Sequence, residues 1–235
     1  DSQTFSGSPV PFKQPVRPLH WVIKVSNLKK AIALLTCLGC RVLRHEEFES
    51  GCEAACNGPY SGYWSKSMVG WETEDQSFVF ELTFNYGINK YRRGTDLENI
   101  RLHRFASDGT NVEEKLLKEF AGEVQKREGP PGATHYSLID DDFLLSFVDS
   151  KATSAQLIEG LTLNSKDRQE AFRFWTKLGL KSAGGAHLEF PGFPYFKLFI
   201  NEIATPVERA DAFGRLAIAC ADEDVETVFR ESGAQ

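Results

Sequence analysis

Shifted by 140 residues, this chain lies over part of itself. SNLKKAIALLTCLGC (Ser26 to Cys40) then meets KDRQEAFRFWTKLGL (Lys166 to Leu180). Ala31 falls on Ala171, Thr36 on Thr176, Leu38 on Leu178 and Gly39 on Gly179. Asn27 falls on Asp167, and both residue types accept hydrogen bonds from the unpaired N–H groups that open a helix. Ile32, Leu34 and Leu35 meet Phe172, Phe174 and Trp175. Each stretch therefore reads as a capped amphipathic helix ending at a glycine. A repeated unit of this size buries its apolar face against another copy, so the repeat dictates the architecture.

Each helix follows a strand: LHWVIKV from Leu19 and IEGLTL from Ile158. After the first helix come CRVLRHEEF, YWSKSMVGWE and FVFELTFNY, rich in Val, Phe, Trp and Tyr, which read as strands. The first copy is thus β-α-β-β-β from Leu19 to Tyr86. A second starts at NIRLHRF (Asn99), continues through a helix VEEKLLKEFAGEVQK and ends in HYSLI and FLLSFVD. A third runs from Ile158 to about Ile200, with AHLEF and YFKLFI as later strands. It reads as short of a loop or a strand, since Gly39 precedes Glu81 by 42 residues but Gly179 precedes Phe199 by only 20. FGRLAIAC (Phe213) and the helical EDVETVFRES open a fourth copy. A strand and a helix alone cannot close a sheet, so further protein is expected after Gln235. The fold class is α/β (α+β), built from tandem βαβββ modules.

The net charge of -6 and pI near 5.5 argue against nucleic acid or an anionic membrane, which want a basic face. No glycine-rich phosphate loop opens a helix, and no apolar run approaches the roughly 20 residues of a bilayer span. Residues 1–17 are polar, contain proline and lack a signal-peptide core, so they read as a flexible segment. The chain does not begin with Met, which leaves room for a removed leader such as a transit peptide. Five cysteines, an odd number at ordinary density, point to reduced thiols in an intracellular protein, cytoplasmic or mitochondrial.

The first copy resembles the vicinal oxygen chelate superfamily, whose best-known member is glyoxalase I. FELTFNYG from Phe80 is similar to the family's metal-ligand strand, where Glu is followed by Leu-Thr and then Asn and Gly. EEFESGCEAACNGPYSGYWSKSMVGWETED (Glu46 to Asp75) extends the likeness across residues 18 to 92. The resemblance implies modules that pair into open, curled β-barrels around a cleft, modules one and two forming a first domain (18–150) and modules three and four a second (151–235). It also implies a divalent metal, Zn, Ni or Mn, acting as a Lewis acid on vicinal oxygens of a substrate. The ligands come from the first and last strand of each module, four to a site, and one Glu doubles as the catalytic base.

Carried over residue by residue, His20 takes the first ligand position and Glu81 the second, with Glu81 the candidate base. The third position falls on Asn99, where the family has His. His103 is four residues along the same strand, about 13 Å away at 3.3 Å per residue. The fourth falls near Leu145, with Asp142 and Asp149 only flanking the strand. In module three the repeat offset carries His20 onto Gly160 and Glu81 to near Phe199. In module four Arg215 stands at the His place, where a cation repels a metal but suits an anion. Two readings follow: a metal-dependent lyase or isomerase on a small oxo compound, or a non-catalytic module that binds a metabolite or protein. Asn99 and Arg215 are cleft candidates in both, and a homo-oligomer or protein partner stays open.

Among the remaining candidates, Cys37 and Cys40 lie at a helix end, not the helix start a redox motif requires, so they read as packed residues. Cys52 and Cys56 sit in the loop GCEAACNGPY, which either rims the cleft or stiffens the scaffold. His45, His135 and His187 form no evident triad.

Overall fold

The computed structural model describes residues 12–53, 56–129, 131–138 and 144–232. Module one comprises β1 (Arg17–Lys24), α1 (Leu28–Cys37), β2 (Arg41–Phe48), β3 (Trp64–Gly70) and β4 (Val79–Asn85). Module two follows with β5 (Leu97–Phe105), α2 (Val112–Glu119), β6 (Val124–Arg127), β7 (Ala133–Leu138) and β8 (Leu144–Lys151). Module three has β9 (Ile158–Ser165), α3 (Arg168–Lys177), β10 (Lys181–Ala183), β11 (His187–Phe190) and β12 (Phe193–Glu202). Module four contributes β13 (Phe213–Ala219), a short 3-10 turn and α4 (Val225–Ser232). No helix among the described residues is long and apolar enough to cross a membrane.

The repeat is visible atom by atom. Asn27 accepts from the Lys30 amide at 3.0 Å and Asp167 from the Glu170 amide at 2.8 Å. Gly39 and Gly179 close α1 and α3 with φ of 89° and 90°, a left-handed turn that costs a side chain. Two expectations change. The helix expected through Lys126 stops at Glu119, because Gly122 turns left-handed (φ 105°) and VQKR pairs with β7 as β6. Module three lacks no strand; it is short because three residues join β10 to β11 where fifteen join β2 to β3, and because β10 itself spans only three residues.

The strands form two open-ended sheets, ordered β13-β1-β4-β3-β2 and β10-β11-β12-β9-β5-β8-β7-β6. Within each complete module the first strand lies parallel to the last, as in β1 with β4 and β9 with β12. Between modules the pairing is antiparallel: β5 with β9, and β1 with β13. Module one therefore pairs with the start of module four, and module two with module three. This corrects the expected pairing of one with two and three with four, and no sheet boundary follows the division at 150/151. One continuous core spans both sheets. Phe78, wholly buried before β4, stacks on Phe196 of β12 at 4.3 Å, and Ser77 donates to Gln156 at 3.1 Å.

Residues 1–11 lie outside the described residues, but 12–17 are not a flexible segment. Val16 is buried, Arg17 opens β1, and the Lys13 amide donates to Asp224 at 2.8 Å. Phe12 and Val16 fill the space beside Gly179.

Candidate functional site

Period-two alternation sorts the residues of β1. Trp21 and Ile23 enter the core together with Phe80 and Leu82 of β4. His20, Val22 and Lys24 take the opposite face, in register with Val79, Glu81 and Thr83. His20 and Glu81 are thus on one face, and the side chains meet: His20 Nε2 lies 3.4 Å from Glu81 Oε2. His20 Nδ1 contacts the Glu74 carboxylate. A carboxylate on one ring nitrogen orients an imidazole and leaves the other to point at its target. Glu81 is 8% exposed, and an ionised carboxylate so enclosed needs a partner.

The remaining sequence candidates separate. Arg215 is in this sheet: between the registered pairs Trp21↔Leu216 and Ile23↔Phe213, Gly214 and Arg215 together oppose Val22. Asn99 is in the other sheet, across from Thr162, whose hydroxyl donates to Asn99 Oδ1 at 2.9 Å. Within the chain Asn99 therefore stands apart from the His20–Glu81 face; its neighbours are those of module three. The module-two position placed near Leu145 also shifts by one. Leu145 packs in the core beside Ile100, and Ser146 shares the opposite face with Arg101. Asp149 turns to Arg104 at 3.2 Å, and Asp142 lies outside the described residues. In module three Gly160 pairs with Lys197 and Thr162 with Phe199, matching His20 with Val79 and Val22 with Glu81, and this set holds no metal donor.

Lys24 escaped the sequence reading. It is only 6% exposed on the His20 face, four residues on, and its ammonium makes no hydrogen bond or ion pair among the described residues. Burial pushes its pKa below the usual lysine range; Asp211 and Asp96 oppose this, while Arg215 adds to it. The loop between β2 and β3 crosses above it: a Cβ on Gly58 would sit 2.9 Å from Lys24 Cε. Asn57 fastens that loop, donating to Asn85 Oδ1 at 3.1 Å, while Asn85 donates to Asn57 O at 3.1 Å and to the Tyr91 hydroxyl at 3.0 Å. Asn57 and Gly58 of this loop are thus held against the His20 face.

The metal implied by the resemblance meets a short donor set. Among the described residues no group of three or more His, Cys, Asp or Glu is placed to hold an ion. His20 and Glu81 are two donors, where catalytic zinc keeps three, and Lys24 shares their face with Arg215 near enough to act on its charge. The residues fit a weakly held ion and not a resident one.

Cys52 and Cys56 face each other in the β2–β3 loop, their Cα atoms 5.5 Å apart. Cys37 and Cys40 are buried free thiols, both pushed up by burial, Cys37 to about 11, as packed residues would be. His45 stands between Ser67 (2.8 Å) and Glu47 (2.8 Å). Ser67 is wholly buried, so this Ser-His-Glu alignment offers no nucleophile to a substrate.

No family model matches the chain. Glyoxalase domain-containing protein 4 of Mus musculus is 36% identical over 218 residues, 89% of this chain and 70% of its own length. Glyoxalase 1 of Caenorhabditis elegans is 34% identical over 218 residues, 90% of this chain and 73% of its own length. Glyoxalase I from Zea mays shares the fold with a TM-score of 0.70 at 21% identity, over 93% of this chain and 80% of that one. With the βαβββ repeat, the parallel first-and-last strands and the His20–Glu81 face, these relationships place the chain in the glyoxalase family of vicinal oxygen chelate proteins.

Proposed function

We propose that the chain works through the module-one face as a glyoxalase-type lyase or isomerase on a small oxo compound carried as a thiol adduct. The observation that supports this reading best is the Glu74–His20–Glu81 array, which holds a buried carboxylate beside an oriented imidazole. In such a reaction a proton leaves the carbon next to a carbonyl and returns to its neighbour. Glu81 is placed to carry that proton, and His20 keeps its carboxylate fixed. The enediolate formed on the way is an anion, and Lys24 and Arg215 are the cations on this face that offset its charge. A divalent ion, where one is bound, supplies Lewis acidity to the same oxygens; His20 and Glu81 are the residues that would hold it.

The second reading, a binding member without turnover, is favoured by Arg215 of module four, a cation at the place where the family has His. Both readings are tested by incubating the protein with the hemithioacetal of methylglyoxal and glutathione, with and without Zn, Ni or Mn, and following the thioester product by NMR. Product formed by the wild type and lost in Glu81→Gln supports the enzyme. A rise in melting temperature without product supports the binder. Neither product nor binding refutes both.

A further inference from the structure

The eight-stranded sheet carries a second cleft that the glyoxalase reading does not use. A cavity of about 180 Å3 opens where the β8–β9 connection, β5 and β12 meet. Its wall includes His103, Thr153, Ser154, Glu159, Tyr195 and Lys197. Glu159 is shared by two cations: Arg101 Nε at 2.8 Å and Lys197 Nζ at 3.6 Å. Arg101 in turn lies over the Phe199 ring at 4.2 Å, which leaves its charge in place while fixing its plane. Neither the Thr153 nor the Ser154 hydroxyl has a hydrogen-bond partner among the described residues. His103 Nδ1 is committed to Ser150 at 2.7 Å, and burial holds this ring below the usual histidine range. Tyr195, 56% exposed, stands at the mouth as a flat apolar wall.

Arg101, behind the wall, offsets Glu159 and leaves Lys197 as the cation that faces the cavity; with the two hydroxyls and an exposed aromatic ring this suits an oxyanion that carries a small planar group. The volume is below the roughly 300–1,000 Å3 of drug-sized sites, so the ligand is small. We propose that this cavity binds a small phosphate ester, its oxyanion on Lys197 and the Thr153 and Ser154 hydroxyls, its planar or apolar part on Tyr195. The site is separate from the His20–Glu81 face and does not depend on that reading.

Titration calorimetry on the whole chain with phenyl phosphate, and with inorganic phosphate for comparison, tests it. Phenyl phosphate is expected to bind more tightly than inorganic phosphate. Lys197→Gln, which removes one charged anchor, is expected to weaken binding about tenfold, and Tyr195→Ala to erase the preference for the phenyl ester. Ser154→Ala, in a loop whose side chain supports nothing else, is expected to weaken it by a smaller factor. Glu81→Gln should leave it unchanged. Failure of either phosphate to bind, or binding indifferent to Lys197→Gln and Ser154→Ala, would overturn the proposal. Binding lost in Glu81→Gln would move the ligand to the other face and overturn it equally.

Discussion

Removing His20 should cost stability as well as function, and the cost can be worked out. His20→Ala leaves Glu81, 8% exposed, without the imidazole now 3.4 Å away. An enclosed polar group that loses its partner costs about 1–3 kcal/mol. The Glu74 contact adds less than about 1 kcal/mol, because the side chain of Glu74 is 35% exposed and water replaces its partner. A loss of about 2 kcal/mol follows, which in a chain of 235 residues lowers the melting temperature by about 4–8 °C. Glu81→Gln keeps an amide in place and removes the charge that made the orphan costly. His20→Ala made on that background should therefore cost about 1 kcal/mol less. Urea unfolding of the wild type, both single variants and the double variant gives this coupling directly. Strict additivity, within about 0.3–0.5 kcal/mol, would mean the two side chains do not interact and would refute the reasoning.

Lys24→Met should stabilise the fold while weakening adduct binding, because it replaces an ammonium that burial disfavours, and that makes no ion pair among the described residues, with an apolar chain of similar length. Burial holds Lys24 below the usual lysine range in the folded state, so the unfolded chain binds more protons between the two values. Wild-type stability then rises with pH in that window relative to Lys24→Met, and melting curves that stay parallel from neutral pH to 10.5 would contradict this. Gly39→Ala and Gly179→Ala both force a side chain into a left-handed turn, at about 1 kcal/mol. Gly179→Ala should cost more, since its Cβ would meet Phe12 at 2.9 Å while the nearest atom to Gly39 is 3.5 Å away; equal melting temperatures would count against the packing of residues 12–17. Phe78→Ala, which removes the ring stacked between the sheets, should cost about 3–5 kcal/mol, and a smaller loss in urea unfolding would mean the sheets are not joined there.

The local structure was largely legible. Asn27, Asp167, Gly39 and Gly179 mark the helix ends in the sequence, and the structure uses each as a cap or a turn. The VQKR strand was hidden because its apolar spacing continues that of α2; only Gly122 signals the break. Pairing between modules was not legible, since nothing near Trp21 records that its antiparallel neighbour is Leu216, almost two hundred residues on. That one omission set Asn99 beside His20 on paper and Arg215 apart from it. Lys24 and Asn85 could have been found: each lies four residues beyond a candidate, His20 or Glu81, and period two puts it on the same face. The Leu145 assignment failed by the same rule, since one residue of slip exchanges cleft for core.

The central claim is that the His20–Glu81 face is completed by β13 and not by β5. The most direct measurement is the rise in melting temperature given by the methylglyoxal–glutathione hemithioacetal in wild type, Arg215→Ala and Asn99→Ala. The account predicts a rise in the wild type that Asn99→Ala keeps and Arg215→Ala loses. A rise lost in Asn99→Ala and kept in Arg215→Ala, or no rise in the wild type, would contradict it.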